Sequence, residues 1–181
     1  MQLSRYKWFI VWIILALFSS SVASAEWLLN GKPVLNSTFA KTDGDFGAKL
    51  EFTDKPNELF EAWNKPGLTV KGSFVDEIRR GQSLVALILF SNCAADIHGM
   101  ANVTVRFKLF DPNGNLRQET GNVEVWINKP APKYRDLEMS VQFLQLKIGK
   151  KDLVGFYSVQ AVVVDKNSGK ELDLERKFKV R

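Results

Sequence analysis

The densest grouping of reactive side chains is Cys93-Ala94-Ala95-Asp96-Ile97-His98-Gly99-Met100, which sets a thiol, an imidazole and a thioether within eight residues. Such soft donors suit copper, so Cys93, His98 and Met100 are the candidate metal ligands. The same residues admit a second chemistry, with Cys93 as nucleophile, His98 as base and Asp96 orienting the imidazole. Both readings require all the groups to converge from one short connection, and the chain holds only one His and one Cys. The simpler reading is a loop joining two strands, and neither a metal nor another cofactor is expected.

The spacing of Cys93, His98 and Met100 resembles the ligand loop of blue-copper proteins, β-sandwiches whose Cys, His and Met ligands come from one loop. That resemblance implies a second His from an upstream strand, which this sequence lacks, and a longer His-to-Met gap than the single residue found here. No Gly-x-Ser-x-Gly elbow, paired metal-ligand motif or phosphate-cradling glycine loop occurs. The expectation is therefore that the protein is not an enzyme. The other candidate contacts are aromatic: Trp27, Trp63, Trp126 and Tyr134 fall near strand or loop ends, where a ring can face a partner or a sugar. Core packing is the ordinary alternative for each of them.

The elements that must position these residues read as short strands between turns. Ala48, Leu50 and Phe52 alternate with Lys49, Glu51 and Thr53, and Leu84 to Phe90 is an apolar run suited to a central strand covered on both faces. Cys93 follows that run and is expected to be buried at a strand end, with a disulfide to another chain as the lesser alternative. Val103, Val105, Phe107 and Leu109 alternate with polar residues up to the turn Asp111-Pro112-Asn113-Gly114, and a return strand is expected from about Leu116 to Ile127. A second hairpin spans Gly155–Asp165, the turn Asn167-Ser168-Gly169, and a return through Leu172, Leu174, Phe178 and Val180. Arg176 departs from that apolar series, which suggests a bulge or a long side chain whose head reaches water. The phase change between Val141, Phe143 and Leu144, Leu146, Ile148 suggests another bulge.

Lys129-Pro130-Ala131-Pro132 reads as a stiff crossing from one sheet to the other, because proline cannot sit in a central strand. Only residues 56–64 carry a helical pattern, with Leu59, Phe60 and Trp63 on one face, expected as one or two turns across an open end. Seven to nine strands with almost no helix predict an all-β antiparallel sandwich. Asp152-Leu153-Val154-Gly155-Phe156-Tyr157-Ser158-Val159 resembles the segment entering the penultimate strand of immunoglobulin-like and fibronectin-like domains. The resemblance implies a Tyr157 hydroxyl bonded back to the chain, although Val159 stands where antibody-type members carry Cys.

Residues 1–25 read as a secretory signal peptide: Arg5 and Lys7 precede an 11-residue apolar run from Trp8 to Phe18, and cleavage is expected after Ala25. Residues 26–181 would then form one sandwich domain, exported to the periplasm or beyond, without stable membrane insertion. The net charge of +5 falls to +3 once Arg5 and Lys7 leave, and the remaining cations are scattered, which argues against nucleic acid. Asn36-Ser37-Thr38 and Asn102-Val103-Thr104 match the glycosylation acceptor pattern. The leading expectation is an exported module that binds another protein through a sheet edge or the loops at one end. A carbohydrate- or small-ligand-binding sandwich is the alternative, followed by a copper-binding periplasmic protein. Oligomeric state is left open.

Overall fold

The computed structural model describes residues 27–29, 32–34, 37–65 and 74–181, the first two segments through their backbone alone. The expected export segment and Asn36 lie outside the described residues. Elements follow the order β1 (Trp27–Leu29), β2 (Lys32–Val34), β3 (Ala40–Asp43), β4 (Phe46–Thr53), α1 (Pro56–Trp63), β5 (Glu77–Ile78) and β6 (Ser83–Ser91). Then come β7 (Met100–Phe110), β8 (Leu116–Glu119), β9 (Val123–Pro130), β10 (Leu137–Met139), β11 (Leu144–Lys147), β12 (Gly155–Asp165) and β13 (Lys170–Val180).

Apart from the β1–β2 pair, these strands form two sheets packed face to face, the predicted all-β sandwich. Sheet I runs β3-β4-β6, with β10 and β11 placed end to end along the far edge of β6. Sheet II runs β5-β13-β12-β7, with β8 and β9 sharing the far edge of β7. Between them lie Phe46, Leu50, Phe52, Ile88 and Phe90 from sheet I and Val103, Phe107, Tyr157, Val163 and Phe178 from sheet II. Each such buried side chain contributes about 1.5–3 kcal/mol. At the margins, the Glu175 N–H donates to the Thr38 carbonyl (2.6 Å) and the Val141 N–H to the Val125 carbonyl (3.2 Å).

The unbroken apolar run of β6 is explained by cover on both sides. Leu84, Ala86, Ile88 and Phe90 face the intersheet core, while Leu87 and Leu89 point outward against Leu59 of α1 and Met139. The helix therefore lies on the outer face of sheet I, not across an open end as its sequence suggested, because only there does β6 have apolar surface left to bury.

Three other expectations are corrected. The strand expected over residues 116–127 is two strands, since Thr120 leaves the ladder to hold Phe107 through its N–H and its Oγ1, both at 3.0 Å. The phase change near Val141 exceeds a single-residue bulge. Four residues between Met139 and Leu144 oppose two on β6, and Ser140 repairs the gap by bonding Ile88 through N–H (2.8 Å) and Oγ (3.1 Å). Arg176 causes no bulge, for the β12–β13 register is continuous from Gly155↔Val180 to Asp165↔Lys170. Its guanidinium is held where β4 outruns β3: Nη1 donates to the Leu50 carbonyl (3.0 Å) and pairs with Glu51, and Nη2 pairs with Asp76 (2.7 Å).

Candidate functional site

The Pro130-Ala131-Pro132 segment does cross from sheet II to sheet I, and in doing so it helps build one loop-rich end of the sandwich. Three connections meet there: 92–99 after β6, 131–136 after β9, and 166–169 between β12 and β13. The Ala131 N–H donates to the Gly99 carbonyl (2.9 Å), and the Arg135 N–H to Asn92 Oδ1 (2.6 Å). Asn167 Nδ2 donates to the Ala94 and Met100 carbonyls, both at 2.9 Å. Beneath them Asp165, fully buried, accepts from the Ala94 N–H (2.8 Å), the Ser168 hydroxyl (2.6 Å) and the Asn167 N–H (3.2 Å). One carboxylate thus locks two connections to each other.

Backbone strain collects at this end. The non-glycine residues with positive φ among those described are Asn92 (54°), Asn128 (53°) and Arg135 (69°). Asparagine tolerates that region, whereas arginine there costs roughly 1–2 kcal/mol. The surrounding hydrogen bonds hold these conformations in place, an arrangement found where loops carry function.

Within the first connection, residues 96–100 form a pinned turn. Asp96 Oδ1 accepts the His98 and Met100 N–H groups, both at 2.8 Å, and backbone bonds join Asp96 N to Met100 O (2.8 Å) and Gly99 N to Asp96 O (3.0 Å). Donation from the Met100 N–H, then from His98, holds the Asp96 carboxyl below the usual aspartate range. Gly99 takes φ of 78°, which the turn requires. The outcome is an isoleucine, Ile97, that is 94% exposed on a backbone with little freedom.

The soft donors of this connection are not brought together. Cys93 packs in the intersheet core, His98 is exposed and Met100 is half-buried. Burial, reinforced by the Asp165 carboxylate, pushes the Cys93 thiol up to about 12, away from the thiolate that a metal or a nucleophilic mechanism requires. Asp96 is occupied with backbone N–H groups instead of the imidazole.

Of the aromatic candidates, Trp126 and Tyr134 belong to this end. Trp126 is half-buried, edge-on to Phe90 at 5.8 Å between centroids, with its Nε1–H on the Pro130 carbonyl (3.0 Å) and Lys129 Nζ 4.4 Å from its ring centre. Tyr134 is 59% exposed, with the Arg135 guanidinium 5.2 Å from its ring. Trp63 does not join them: it packs from the last turn of α1 against the outer face of β6, because the helical stripe that carries it covers Leu87 and Leu89. The side chain of Trp27 lies outside the described residues. Asn102 sits within β7 opposite Ile127, with Oδ1 buried and Thr104 buried beside it.

Two site residues had no signal in the sequence. Ile97 looks like any apolar residue until the turn exposes it, although an isoleucine inside Asp-x-x-Gly is itself unusual turn chemistry. Glu138 lies directly opposite Phe90 and so on the core side of sheet I. Burial, then the nearby Asp136 charge, raises its carboxyl, and Lys129 partly offsets both. A groove of about 500 Å³ lies instead at the Thr38–Glu175 margin, where Arg176 and Asp76 are already paired to each other.

No protein-family model and no curated protein matches the sequence. Among solved structures the chain is similar to the CARDB domain of the PF1109 protein from Pyrococcus furiosus, at 12% identity and a TM-score of 0.36, covering 81% of this chain and 97% of that one. It is also similar to a family 123 glycoside hydrolase from Clostridium perfringens, at 13% identity and a TM-score of 0.40, over 75% of this chain and 27% of the hydrolase. A β-glucosidase from Listeria innocua gives 13% identity and a TM-score of 0.39, over 90% and 20% of the two chains. The chain thus spans about a quarter or less of either hydrolase. The expectation that the protein is not an enzyme is corrected by these structures, since enzymes stand among those it is similar to. At such TM-scores the likenesses assign it no activity, and what they share with it is a β-rich fold.

Proposed function

We propose that the protein is an exported recognition module of the immunoglobulin-like or fibronectin-like kind, binding another protein through the loop end around Ile97, Trp126 and Tyr134. The observation that carries this reading is Ile97, 94% exposed on a turn fixed by four hydrogen bonds. A rigid exposed aliphatic side chain loses little entropy when a partner covers it, which is how preorganised contacts gain affinity. Further support comes from the Tyr157 hydroxyl, which donates to the Leu153 carbonyl (3.1 Å) as the family resemblance implies. Stacking on a sugar is less favoured, because both Trp126 and Tyr134 already carry a cation near the ring.

A photo-cross-linking residue placed at position 97 tests the reading, with the same residue at position 116 as control. Leu116 is 50% exposed beyond the other end of β7. Adducts to a discrete envelope protein are expected from position 97 and not from position 116, insensitive to added monosaccharides, and a cross-linker placed at position 134 should lose its adducts when Ile97→Asp is added. Equal adducts from both positions, or competition by sugar, overturn it.

A further inference from the structure

We infer that the open end of the sandwich between Trp126 and Glu138 is a receptor for one basic side chain, a lysine or arginine, of the partner protein. The inference rests on the loop-end reading above and adds the chemistry of the contact. Glu138 and Trp126 both border Phe90, the first directly across the β10–β6 ladder and the second through ring contact at 5.8 Å. Glu138 stands between Leu137 and Met139 on a strand whose neighbours are apolar. Among the described residues, its carboxylate accepts no hydrogen bond and forms no ion pair. A half-buried carboxylate whose charge is only partly offset, here by Lys129, is unfavourable, and a closer desolvated counter-charge relieves it.

The ring that shares its Phe90 neighbour is already used as a cation platform. Lys129 Nζ lies 4.4 Å from the Trp126 centre, well within cation–π range, and tryptophan is the strongest ring for that interaction. Lys129 therefore acts as an internal occupant that a partner's cation displaces. The local charges favour the exchange: Glu138 and Asp136 bear on each other, with Lys129 the cation that offsets them. The segment between Trp126 and Glu138, which contains Asn128 and Arg135 at positive φ, is held by the Ala131 N–H on the Gly99 carbonyl and the Arg135 N–H on Asn92 Oδ1. These features select a cationic side chain over an acidic or purely apolar one.

The test uses the purified protein and three probes: Nα-acetyl-lysine methylamide, Nα-acetyl-arginine methylamide and the uncharged norleucine analogue. The readout is the Trp126 indole N–H resonance, assigned by its loss in Trp126→Phe. A saturable shift at millimolar concentration is expected from the cationic probes alone. Glu138→Gln should weaken the response about five-fold, and Lys129→Met should strengthen it by about three-fold, as expected for terms near 1 kcal/mol. An equal response to norleucine, no saturable response, or an unchanged affinity in Glu138→Gln overturns the inference. If position 97 still cross-links the partner while Glu138→Gln leaves that capture and the titration unchanged, this inference fails and the recognition reading stands. If the probes bind as described but position 97 yields no specific adduct, the recognition reading fails instead.

Discussion

Arg176 of β13 reaches past the end of β3 to pair with Glu51 of β4, so a cation at an inward-facing position of one sheet is neutralised by a carboxylate of the other. Glu51 is only 3% exposed at its side chain and Arg176 12%. Lys49, 2.5 Å from Glu51, and Asp76 share the charge. Phe39 and Phe52 lie 5.0 and 5.4 Å from the guanidinium and exclude water from it. Removing one member of a buried pair costs about 3–5 kcal/mol, and the remaining partners place Arg176→Met near 3. Urea unfolding of Arg176→Met, Glu51→Leu and the double variant checks this, with the double expected to be less destabilised than the sum of the two singles.

Tyr157→Phe removes one hydroxyl and its bond to Leu153 while leaving the ring stacked on Phe178 at 5.5 Å. The expected loss is about 1 kcal/mol, with no change of fold. A loss below about 0.3 kcal/mol in the same denaturation assay would show that the corner is not anchored by that hydroxyl.

Asp165→Ala strands the Ala94 N–H and frees the Ser168 hydroxyl. The cost should be about 3 kcal/mol, because several groups lose a charged acceptor in a dry site. Hydrogen exchange should accelerate at residues 94–100 and 166–169 beyond the global change. Uniform acceleration would mean that the two connections are not coupled through this carboxylate.

The buried Cys93 thiol should resist alkylation in the native protein at pH 8 and react once the chain is unfolded. Its folded value is raised from 9.0 to about 12, so the unfolded thiol ionises first. The contribution of this group is therefore constant below pH 9.0 and declines as pH rises from there toward 12. Cys93→Ala should flatten the alkaline limb of the stability profile.

Asp96 behaves in the opposite sense. Its carboxyl is lowered by the N–H donors of Met100 and His98, so the turn is held at pH values above the ordinary aspartate range and released as pH falls through the lowered value. Protection of the His98 and Met100 amides, measured against their intrinsic exchange rates, should fall in acid before that of the strands does. Asp96→Ala should show the lowered protection at neutral pH.

The sandwich was legible because alternation is a direct signal of which face a strand buries, as in Val103, Val105, Phe107 and Leu109. The Tyr157 corner was legible from its neighbours, and β12 runs over the residues that the pattern indicated. What misled was tertiary. The stripe of α1 says that it packs, but the free outer side of β6 decides where. Trp63 followed the helix, whereas Trp126 and Tyr134 followed the crossing after β9. Arg176 occupies a position in phase with Leu174 and Phe178, and nothing in its own strand announces that Glu51, far away in sequence, will receive it. Ile97 and Glu138 are visible only once turn geometry and strand pairing are known.

The hydrogen bonds from Glu175 to Thr38 and from Val141 to Val125 fasten the sheets to each other midway along both margins. Neither margin then presents an uninterrupted row of free peptide groups, the feature that invites strand-by-strand growth into fibrils.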